Sequence, residues 1–215
     1  MDHYFTNNQN LKSEIKKIEY SYGNYNFIFL SDNGVFSKEH IDYGSSFLVD
    51  TFLKNYHSSA SILDVGCGYG FIGCVTSKVL SSPVTMCDVN KRALHLAKRN
   101  VDGNKIDATV IESNAYENIE GKYDVIISNP PVRVGKEILL KILIGAKEHL
   151  KENGQFWYVL RKDQGAKSIQ KILNEHYSVE EIDKSKGFYV FCCKNYWHNW
   201  PFIGRIINCW RVYFI

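Results

Sequence analysis

From residue 61 onward the chain alternates short apolar runs with amphipathic segments, and this alternation constrains its fold more than any other feature. The apolar runs predict strands at 61–65, 83–89, 108–113, 123–128 and 155–160. The segments between and after them predict helices at 71–80, 91–101, 137–150 and 166–177. Strands that alternate with helices form a mostly parallel sheet with helices on both faces, so the sequence predicts a Rossmann-like, doubly wound α/β fold.

Both ends of the chain add to this pattern. The runs VEEIDKS and FYVFCC flank Lys186-Gly187 and predict a C-terminal antiparallel hairpin, which makes the sheet seven-stranded. Residues 15–31 contain two β-rich runs interrupted at Gly23-Asn24, which predict a small N-terminal hairpin, and a helix is predicted at 45–56. We therefore divide the chain into an N-terminal β extension (1–43), an α/β domain (44–195) and an aromatic-rich tail of unknown role (196–215).

Charge and cysteine content restrict the class of protein only mildly. A net charge of +3 permits a nucleic-acid partner without requiring one. The six cysteines form no C-x-x-C pair, which favours buried free thiols in a reducing compartment over a zinc site. The polar N-terminus has no apolar signal core, and Pro201 and Gly204 interrupt the apolar tail. We expect a cytoplasmic protein with no metal and no firm membrane association.

A glycine-rich turn, LDVGCGYG, follows the first strand of the α/β domain. In an open α/β sheet, ligands bind beyond the carboxyl ends of the strands, and glycine leaves room for a ligand against the backbone. Gly66, Gly68 and Gly70 follow Asp64 in a G-x-G-x-G pattern. A dinucleotide-binding turn needs a glycine where Phe71 stands, so the spacing argues against a dehydrogenase.

Two further strand ends carry polar groups. Asp88 ends the second strand of this domain, and a carboxylate there can accept hydrogen bonds from both hydroxyls of a ribose, whether of NAD or of S-adenosylmethionine. Asn129-Pro130-Pro131 ends the fourth strand. The prolines fix φ and donate no amide hydrogen, so the turn exposes carbonyl oxygens beside the asparagine. Such acceptors suit an amino group whose hydrogens must be held.

In this order, DVGCGYG, Asp88 and NPP resemble the class I S-adenosylmethionine-dependent methyltransferases that modify exocyclic or amide nitrogens. GVFSKEHIDYGSSFLVDTF is similar to the segment through which substrate enters in the bacterial small-subunit ribosomal RNA guanine-N2 methyltransferases, the RsmC-like group. NPPVRVGKE, RKDQGAKS and KGFYVF resemble the compact, single-domain members of that group. The resemblance extends from about residue 15 to about residue 194.

The resemblance implies S-adenosylmethionine as cofactor and assigns the residues that bind it. These are Asp64, Gly66, Cys67, Gly68, Gly70, Asp88, Val89, Asn114 and Asn129. Asn114 stands where the family usually has an aspartate that meets the adenine amino group, and its carbonyl can still accept there without a charge. Asn129, Pro130 and Pro131 would be the catalytic residues, because they orient the target nitrogen.

The resemblance also implies that residues 1–43 include the segment that admits substrate and that residues 44–195 form the methyltransferase domain. The implied substrate-binding residues are Phe36, Ser37, Asp42, Tyr43, Gly44, Ser45, Val132 and Arg133. Many relatives have an aromatic ring where Val132 stands, so stacking on the base is expected from Phe36 or Tyr43. The implied partner is ribosomal RNA or the small ribosomal subunit, with Arg133, Lys136, Arg161 and Lys162 as candidates for phosphate contacts.

The function implied is methyl transfer to the exocyclic N2 amine of a guanine in small-subunit ribosomal RNA. Two alternatives stay open. A protein glutamine N-methyltransferase also uses NPP, although Asp42, Gly44 and Ser45 favour the RNA enzyme. A non-catalytic RNA-binding assembly factor with the same fold is the other, since Asn114 and Val132 depart from the family pattern. Single-domain relatives lack the duplicated half of the longer enzymes, so a homodimer is also open.

Overall fold

The computed structural model describes residues 12–195, except for the side chain of Arg133, and confirms the predicted fold class. Its strands are β1 (Lys16–Tyr22), β2 (Tyr25–Ser31), β3 (Ile62–Val65), β4 (Val84–Asp88), β5 (Ala108–Glu112), β6 (Tyr123–Ser128), β7 (Leu150–Arg161), β8 (Tyr177–Ser185) and β9 (Phe188–Asn195). Its α-helices are α1 (Tyr43–Asn55), α2 (Phe71–Leu80), α3 (Lys91–Asn104), α4 (Lys136–His149) and α5 (Ala166–Leu173). Short 3-10 turns cover Val132–Val134 and Lys162–Gln164.

The main sheet has seven strands in the order β5-β4-β3-β6-β7-β9-β8. All pairs among β3 to β7 are parallel, and β9 pairs antiparallel with both β7 and β8. The chain runs outward from β3 to β5 and then returns to the other side of β3 as β6. The strand order therefore reverses between β3 and β6, and a ligand-binding crevice is expected at their carboxyl ends.

Alternating side chains of each central strand face opposite sides of the sheet. On β6, Val125 and Ile127 contact the core that contains α1, α2 and α3, whereas Ile126 contacts the core that contains α4 and α5. All three side chains have no exposed surface. The central strands are thus buried on both faces, which explains why their sequences are mostly apolar instead of alternating between apolar and polar residues.

The hairpin predicted in residues 15–31 is confirmed as β1 and β2, and it packs against α3. Asn104 accepts from the amide of Ile28 at 3.0 Å, and Asn100 accepts from the amide of Leu30 at 2.7 Å. These asparagines satisfy backbone groups along β2, whose outer side has no neighbouring strand within residues 12–195. The hairpin shares its core with the face of the sheet that carries α1, α2 and α3. The segment boundaries after residues 43 and 195 stay predictions.

Two predicted boundaries differ most from the structure. The helix predicted at 166–177 ends at Leu173, and Tyr177 begins β8 instead. The Tyr177 hydroxyl donates to the carbonyls of Leu143 and Ile144 at 3.0 and 2.8 Å, so burial against α4 determines its conformation. The strand predicted at 155–160 begins earlier, at Leu150, which pairs with the first residue of β6.

The predictions for the tail, 196–215, lie outside the described residues. Within residues 12–195, no helix is both long enough and apolar enough to cross a membrane. The cysteines in this range are free and buried, namely Cys67, Cys74, Cys87, Cys192 and Cys193.

Candidate active site

The glycine turn between β3 and α2 is anchored to the end of β4 by backbone donors. The amides of Gly66 and Cys67 both donate to the Cys87 carbonyl, at 2.9 and 3.0 Å. The Gly68 amide donates to Asp88 Oδ2 at 2.9 Å. Gly66 and Gly68 have φ of +73° and +55°, a left-handed conformation that glycine adopts without strain. The turn therefore curls over the crevice at the carboxyl ends of the strands.

The glycines of this turn differ in what surrounds them. A Cβ at Gly68 would meet no described atom within 4 Å, and one at Gly66 would meet only Pro131 Cδ, at 3.8 Å. A Cβ at Gly70 would lie 3.2 Å from Met86 Sδ, between the sheet and α3. Gly66 and Gly68 thus leave space open at the crevice, whereas both packing and a left-handed φ of +87° account for the absence of a side chain at Gly70.

Asp64, the acid that precedes the glycines, is completely buried. Its Oδ2 accepts from the Gly73 amide at 2.9 Å, and its Oδ1 has no hydrogen-bond partner among the described residues. Burial raises the pKa of Asp64 to about 7; the Gly73 amide opposes this rise and the charge of Asp88 adds to it. This buried oxygen is an acceptor that residues 12–195 leave unused.

Asp88 organises the glycine turn as well as facing the crevice. Its Oδ2 accepts from Gly68 and its Oδ1 accepts from the Asn90 amide at 2.9 Å. Burial raises the pKa of Asp88, and the amides of Asn90, Gly68 and Val89 act in the opposite direction. A carboxylate has about four lone-pair sites, so it retains acceptors for a ligand.

Asn114 lies just beyond β5, at the same edge of the sheet, and is exposed. Its Nδ2 donates to Glu117 Oε1 at 2.8 Å, and Lys141 pairs with that carboxylate oxygen at 2.8 Å. Because Glu117 holds the amino end of the amide, the Asn114 carbonyl oxygen is left to accept a hydrogen bond. The neighbouring Ser113 amide donates to the Asp88 carbonyl at 3.0 Å, which ties this loop to the end of β4.

The double-proline turn lies directly across from the glycine turn. Ser128, the last residue of β6, donates its hydroxyl to the Val65 carbonyl at 2.7 Å and so joins the ends of β6 and β3. Pro130 is buried, and Pro131 is the residue that approaches Gly66. Asn129 is half-buried between them and the start of α1.

Asn129 is bound on one side by the first turn of α1. Its Nδ2 donates to Asp42 Oδ2 at 3.0 Å and to Ser45 Oγ at 2.9 Å. Asp42 also caps α1, because its side chain accepts from the Ser45 amide at 2.8 Å. The structure thus brings together Asp42, Ser45 and Asn129, although the sequence analysis placed the first two with substrate binding and the third with catalysis. Contact of Asp42 and Ser45 with substrate stays a prediction.

Next to this cap is a cluster of aromatic and basic side chains. Tyr43 donates its hydroxyl to Ser185 Oγ at 2.8 Å, and its ring centroid lies 5.4 Å from that of Phe188. Lys186 lies over the Tyr43 ring at 4.5 Å, and Arg161 lies over the Phe188 ring at 5.4 Å. Sequence reasoning gave no individual role to Phe188, Lys186 or Ser185. The predicted turn at Lys186-Gly187 was the available signal, but its position beside α1 depends on the register of β7 and β9.

The other predicted substrate residues are placed as follows. Phe36 is 47% exposed, in the loop between β2 and α1. Ser37 has φ of +57°, and its hydroxyl donates to the His40 carbonyl. Val132 is half-buried in the 3-10 turn after the prolines, while the side chain of Arg133 lies outside the described part of the structure. Their substrate contacts stay predictions.

Gly44 is buried for a packing reason. A Cβ there would lie 2.8 Å from Phe188 Cε1 and 3.0 Å from Asp42 Oδ2. The glycine therefore allows the start of α1 to approach β9 closely.

As for metals, residues 12–195 contain no group of three or more histidine, cysteine, aspartate or glutamate side chains placed to hold an ion.

Comparison with known proteins identifies a family model. The model described as "Methyltransferase small domain" matches residues 26–192. The uncharacterized protein YbxB of Bacillus subtilis is 36% identical over 198 residues, which cover 90% of this chain and 98% of that protein. Ribosomal RNA small subunit methyltransferase C of Buchnera aphidicola (subspecies Schizaphis graminum) is 34% identical over 77% of this chain.

A solved structure with the same fold is that of the 16S rRNA N2 G1207 methyltransferase (RsmC) of T. thermophilus in complex with AdoMet and guanosine. It aligns with a TM-score of 0.78 at 18% identity and covers 86% of this chain. The chain spans about half the length of these methyltransferase C proteins, 51% of the Buchnera protein and 52% of the T. thermophilus chain, but nearly all of YbxB.

Proposed function

The chain belongs to the methyltransferase small domain family, and we propose that it transfers a methyl group from S-adenosylmethionine to the exocyclic N2 amine of a guanine in small-subunit ribosomal RNA. The names of two relatives support this choice of substrate. The Buchnera protein is named as a small-subunit ribosomal RNA methyltransferase, and the T. thermophilus protein is named as an N2 methyltransferase of a 16S rRNA guanine.

The observation that carries the proposal is the approach of the two turns. β3 and β6 are adjacent and parallel, so the turns that follow them start at the same edge of the sheet. The 3.8 Å between a Cβ at Gly66 and Pro131 Cδ places the glycine turn against the double-proline turn. A methyl donor held by the first turn and an amine held by the second would then be within reach of each other.

The residues of the glycine turn suit S-adenosylmethionine. Gly66 and Gly68 leave open space against the backbone, and Asp64 offers a buried acceptor without a partner in the described residues. Asp88 and Asn114 would accept from the ribose hydroxyls and the adenine amino group, with Cys67 and Val89 beside them. When bound, the cofactor supplies a methyl carbon attached to a positively charged sulfur.

The acceptors of the double-proline turn would orient the amine. The amine of guanine is nearly neutral, and its lone pair is delocalised into the base. Asn129 Oδ1 and the Pro130 carbonyl would accept its two hydrogens and leave the lone pair directed at the methyl group. Orientation of this kind and preorganised dipoles are the main sources of acceleration that need neither a metal nor a covalent intermediate.

Basic groups at the same edge of the sheet favour an RNA substrate. Arg161 and Lys162 are exposed at the carboxyl end of β7, and Lys186 is exposed in the turn between β8 and β9. Arg161 pairs with Phe188 in the sheet, and this pairing brings Arg161 beside the turn that carries Lys186. They would contact backbone phosphates while the guanine, unpaired or flipped out of its stack, enters the crevice.

The test is a methylation assay with labelled S-adenosylmethionine on small ribosomal subunits that lack their own methyl groups. The expected product is N2-methylguanosine, identified by nuclease digestion and mass spectrometry, and Asn129→Ala should form it about 10³-fold more slowly. Label in the glutamine side chain of a protein would replace the proposal with a protein N-methyltransferase. If the protein binds subunits tightly but calorimetry shows no binding of S-adenosylmethionine, an assembly factor would replace the proposal.

A further inference from the structure

The start of α1 holds the asparagine that would face the substrate amine. In a protein with the function proposed above, we infer that Asp42 is a positioning residue, which determines which end of the Asn129 amide is presented to that amine. Asp42 lies 87 residues before Asn129 in the sequence, yet its Oδ2 accepts from Asn129 Nδ2 at 3.0 Å. Ser45 Oγ accepts from the same nitrogen at 2.9 Å.

An asparagine amide needs such a partner because its two ends have nearly the same shape. One end donates and the other accepts, and the terminal torsion is broad and roughly two-fold. If Asn129 turned its NH2 group toward the crevice, it would place donor hydrogens against the hydrogens of the substrate amine. Only the orientation with Oδ1 toward the crevice provides an acceptor.

The Asp42 carboxylate selects this orientation. An ionised carboxylate accepts hydrogen bonds and donates none, so only the NH2 end of Asn129 can face it. The Ser45 hydroxyl alone could either donate or accept. It donates to Asp42 Oδ2 at 3.2 Å, which leaves its oxygen to accept from Asn129. Both partners therefore require the same orientation of the amide. The carboxylate determines this orientation directly and also through the Ser45 hydroxyl.

Asp42 is itself held in place by groups around it. It caps α1 through the Ser45 amide, and Gly44 leaves room for its carboxylate, since a Cβ there would lie 3.0 Å from Oδ2. Asp42 also lies close to Tyr69 in the glycine turn. Burial raises the pKa of Tyr69, and the charge of Asp42 raises it further. A fixed negative charge at the NH2 end should also strengthen Oδ1 as an acceptor, because linked hydrogen bonds polarise one another.

The test is a double-mutant cycle in the steady-state kinetics of methylation. Asp42→Ser keeps a residue that caps helices well but removes the carboxylate. We expect kcat to fall about 10- to 100-fold while KM for RNA and for S-adenosylmethionine stays unchanged, because a preorganised acceptor is lost but no substrate contact is removed. In an Asn129→Ala background, Asp42→Ser should cause no further loss. Asp50→Asn, which removes a charge of the same sign from the same helix, should leave kcat unchanged.

The cycle has outcomes that overturn the inference. If Asp42→Ser lowers the activity of Asn129→Ala by the same factor as that of the wild type, Asp42 does not act through Asn129. If it raises KM for RNA and leaves kcat unchanged, Asp42 is a substrate contact instead.

A second measurement separates this inference from the choice of substrate. The side-chain amide signal of Asn129 in a ¹H–¹⁵N spectrum can be assigned by its loss in Asn129→Ala. We expect its hydrogens to exchange faster in Asp42→Ser than in the wild type, without RNA or cofactor present. If the hydrogens exchange faster but the protein methylates no ribosomal RNA, the positioning role of Asp42 is supported and the proposed substrate is wrong. An unchanged signal would overturn the positioning role for any substrate.

Discussion

The two sides of the crevice are built from different kinds of contact. The side proposed to bind the cofactor, here called the cofactor half, comprises Asp64, the glycine turn and Asp88. It is held mainly by backbone amides that donate to groups about twenty residues away. The side proposed to bind substrate, here called the substrate half, comprises the start of α1, Asn129 and the turn after β8. It is held by side chains that bond to one another across 84 to 142 residues of sequence.

This difference indicates which side can change more easily. A backbone amide donates whatever side chain its residue carries, so the cofactor half depends mainly on glycine at a few positions. A side-chain bond depends on the identity of both residues and on the position of both segments. The substrate half can therefore acquire a different specificity through a few substitutions while the cofactor half stays intact.

Asn129→Ala should separate the two halves most sharply. Loss of one preorganised polar group that acts in the transition state typically lowers kcat by about 10²- to 10³-fold, and we expect the upper end of that range here. Binding of S-adenosylmethionine, measured by calorimetry, should be unchanged. Loss of cofactor binding to the same extent as activity would show that the halves are not independent.

The buried carboxyl of Asp64 in the cofactor half should make the stability of the protein depend on pH. An aspartate in the unfolded chain titrates near pH 3.9, whereas the pKa of the buried Asp64 is about 7. Between these values the folded protein binds more protons, so its free energy of unfolding should fall as pH rises, by up to about 1.4 kcal/mol per pH unit, and level off above about pH 7. Urea unfolding across this range should show the slope in the wild type and a flatter one in Asp64→Asn. The same slope in both proteins would mean that other groups cause the pH dependence. Asp88 is one such group, because burial raises its pKa as well.

Gly44→Ala tests the packing of the substrate half. The added methyl would lie 2.8 Å from Phe188 Cε1, so we expect the start of α1 to move and the protein to lose about 1–3 kcal/mol of stability. Activity should fall further than S-adenosylmethionine binding. Phe188→Leu in the same chain removes that ring atom and should restore part of the stability, as measured by thermal unfolding. If it restores none, the contact with Asp42 is the dominant one.

Gly68→Ala tests the backbone of the cofactor half and should have the smallest effect. No described atom lies within 4 Å of the added methyl, so the cost comes from φ of +55° and should be about 1–2 kcal/mol in the free energy of unfolding. Cofactor affinity should fall because the methyl occupies the open space. Gly103→Ala, in α3 and also without a clash, is the matched control and should stabilise the protein by up to about 1 kcal/mol. Equal effects of the two would contradict the role assigned to the Gly68 conformation.

The sequence alone determined the sheet and the positions of three parts of the site. Apolar runs spaced by amphipathic helices give parallel strands, and the carboxyl ends of parallel strands meet at one edge. The glycine turn and Asn129-Pro130-Pro131 follow such strands and Asp88 ends one, so their convergence could be predicted from local patterns.

Only the tertiary structure decided how the substrate half is assembled. Nothing local in the sequence pairs Asp42 with Asn129, Tyr43 with Ser185 or Tyr177 with α4, because each bond joins segments separated by tens of residues. Such contacts depend on strand register and on the approach of helices to the sheet, and a shift of one residue in a strand would turn its side chains to the opposite face. Local periodicity reports which face of an element is buried, but it does not report which side chain of a distant element lies against it.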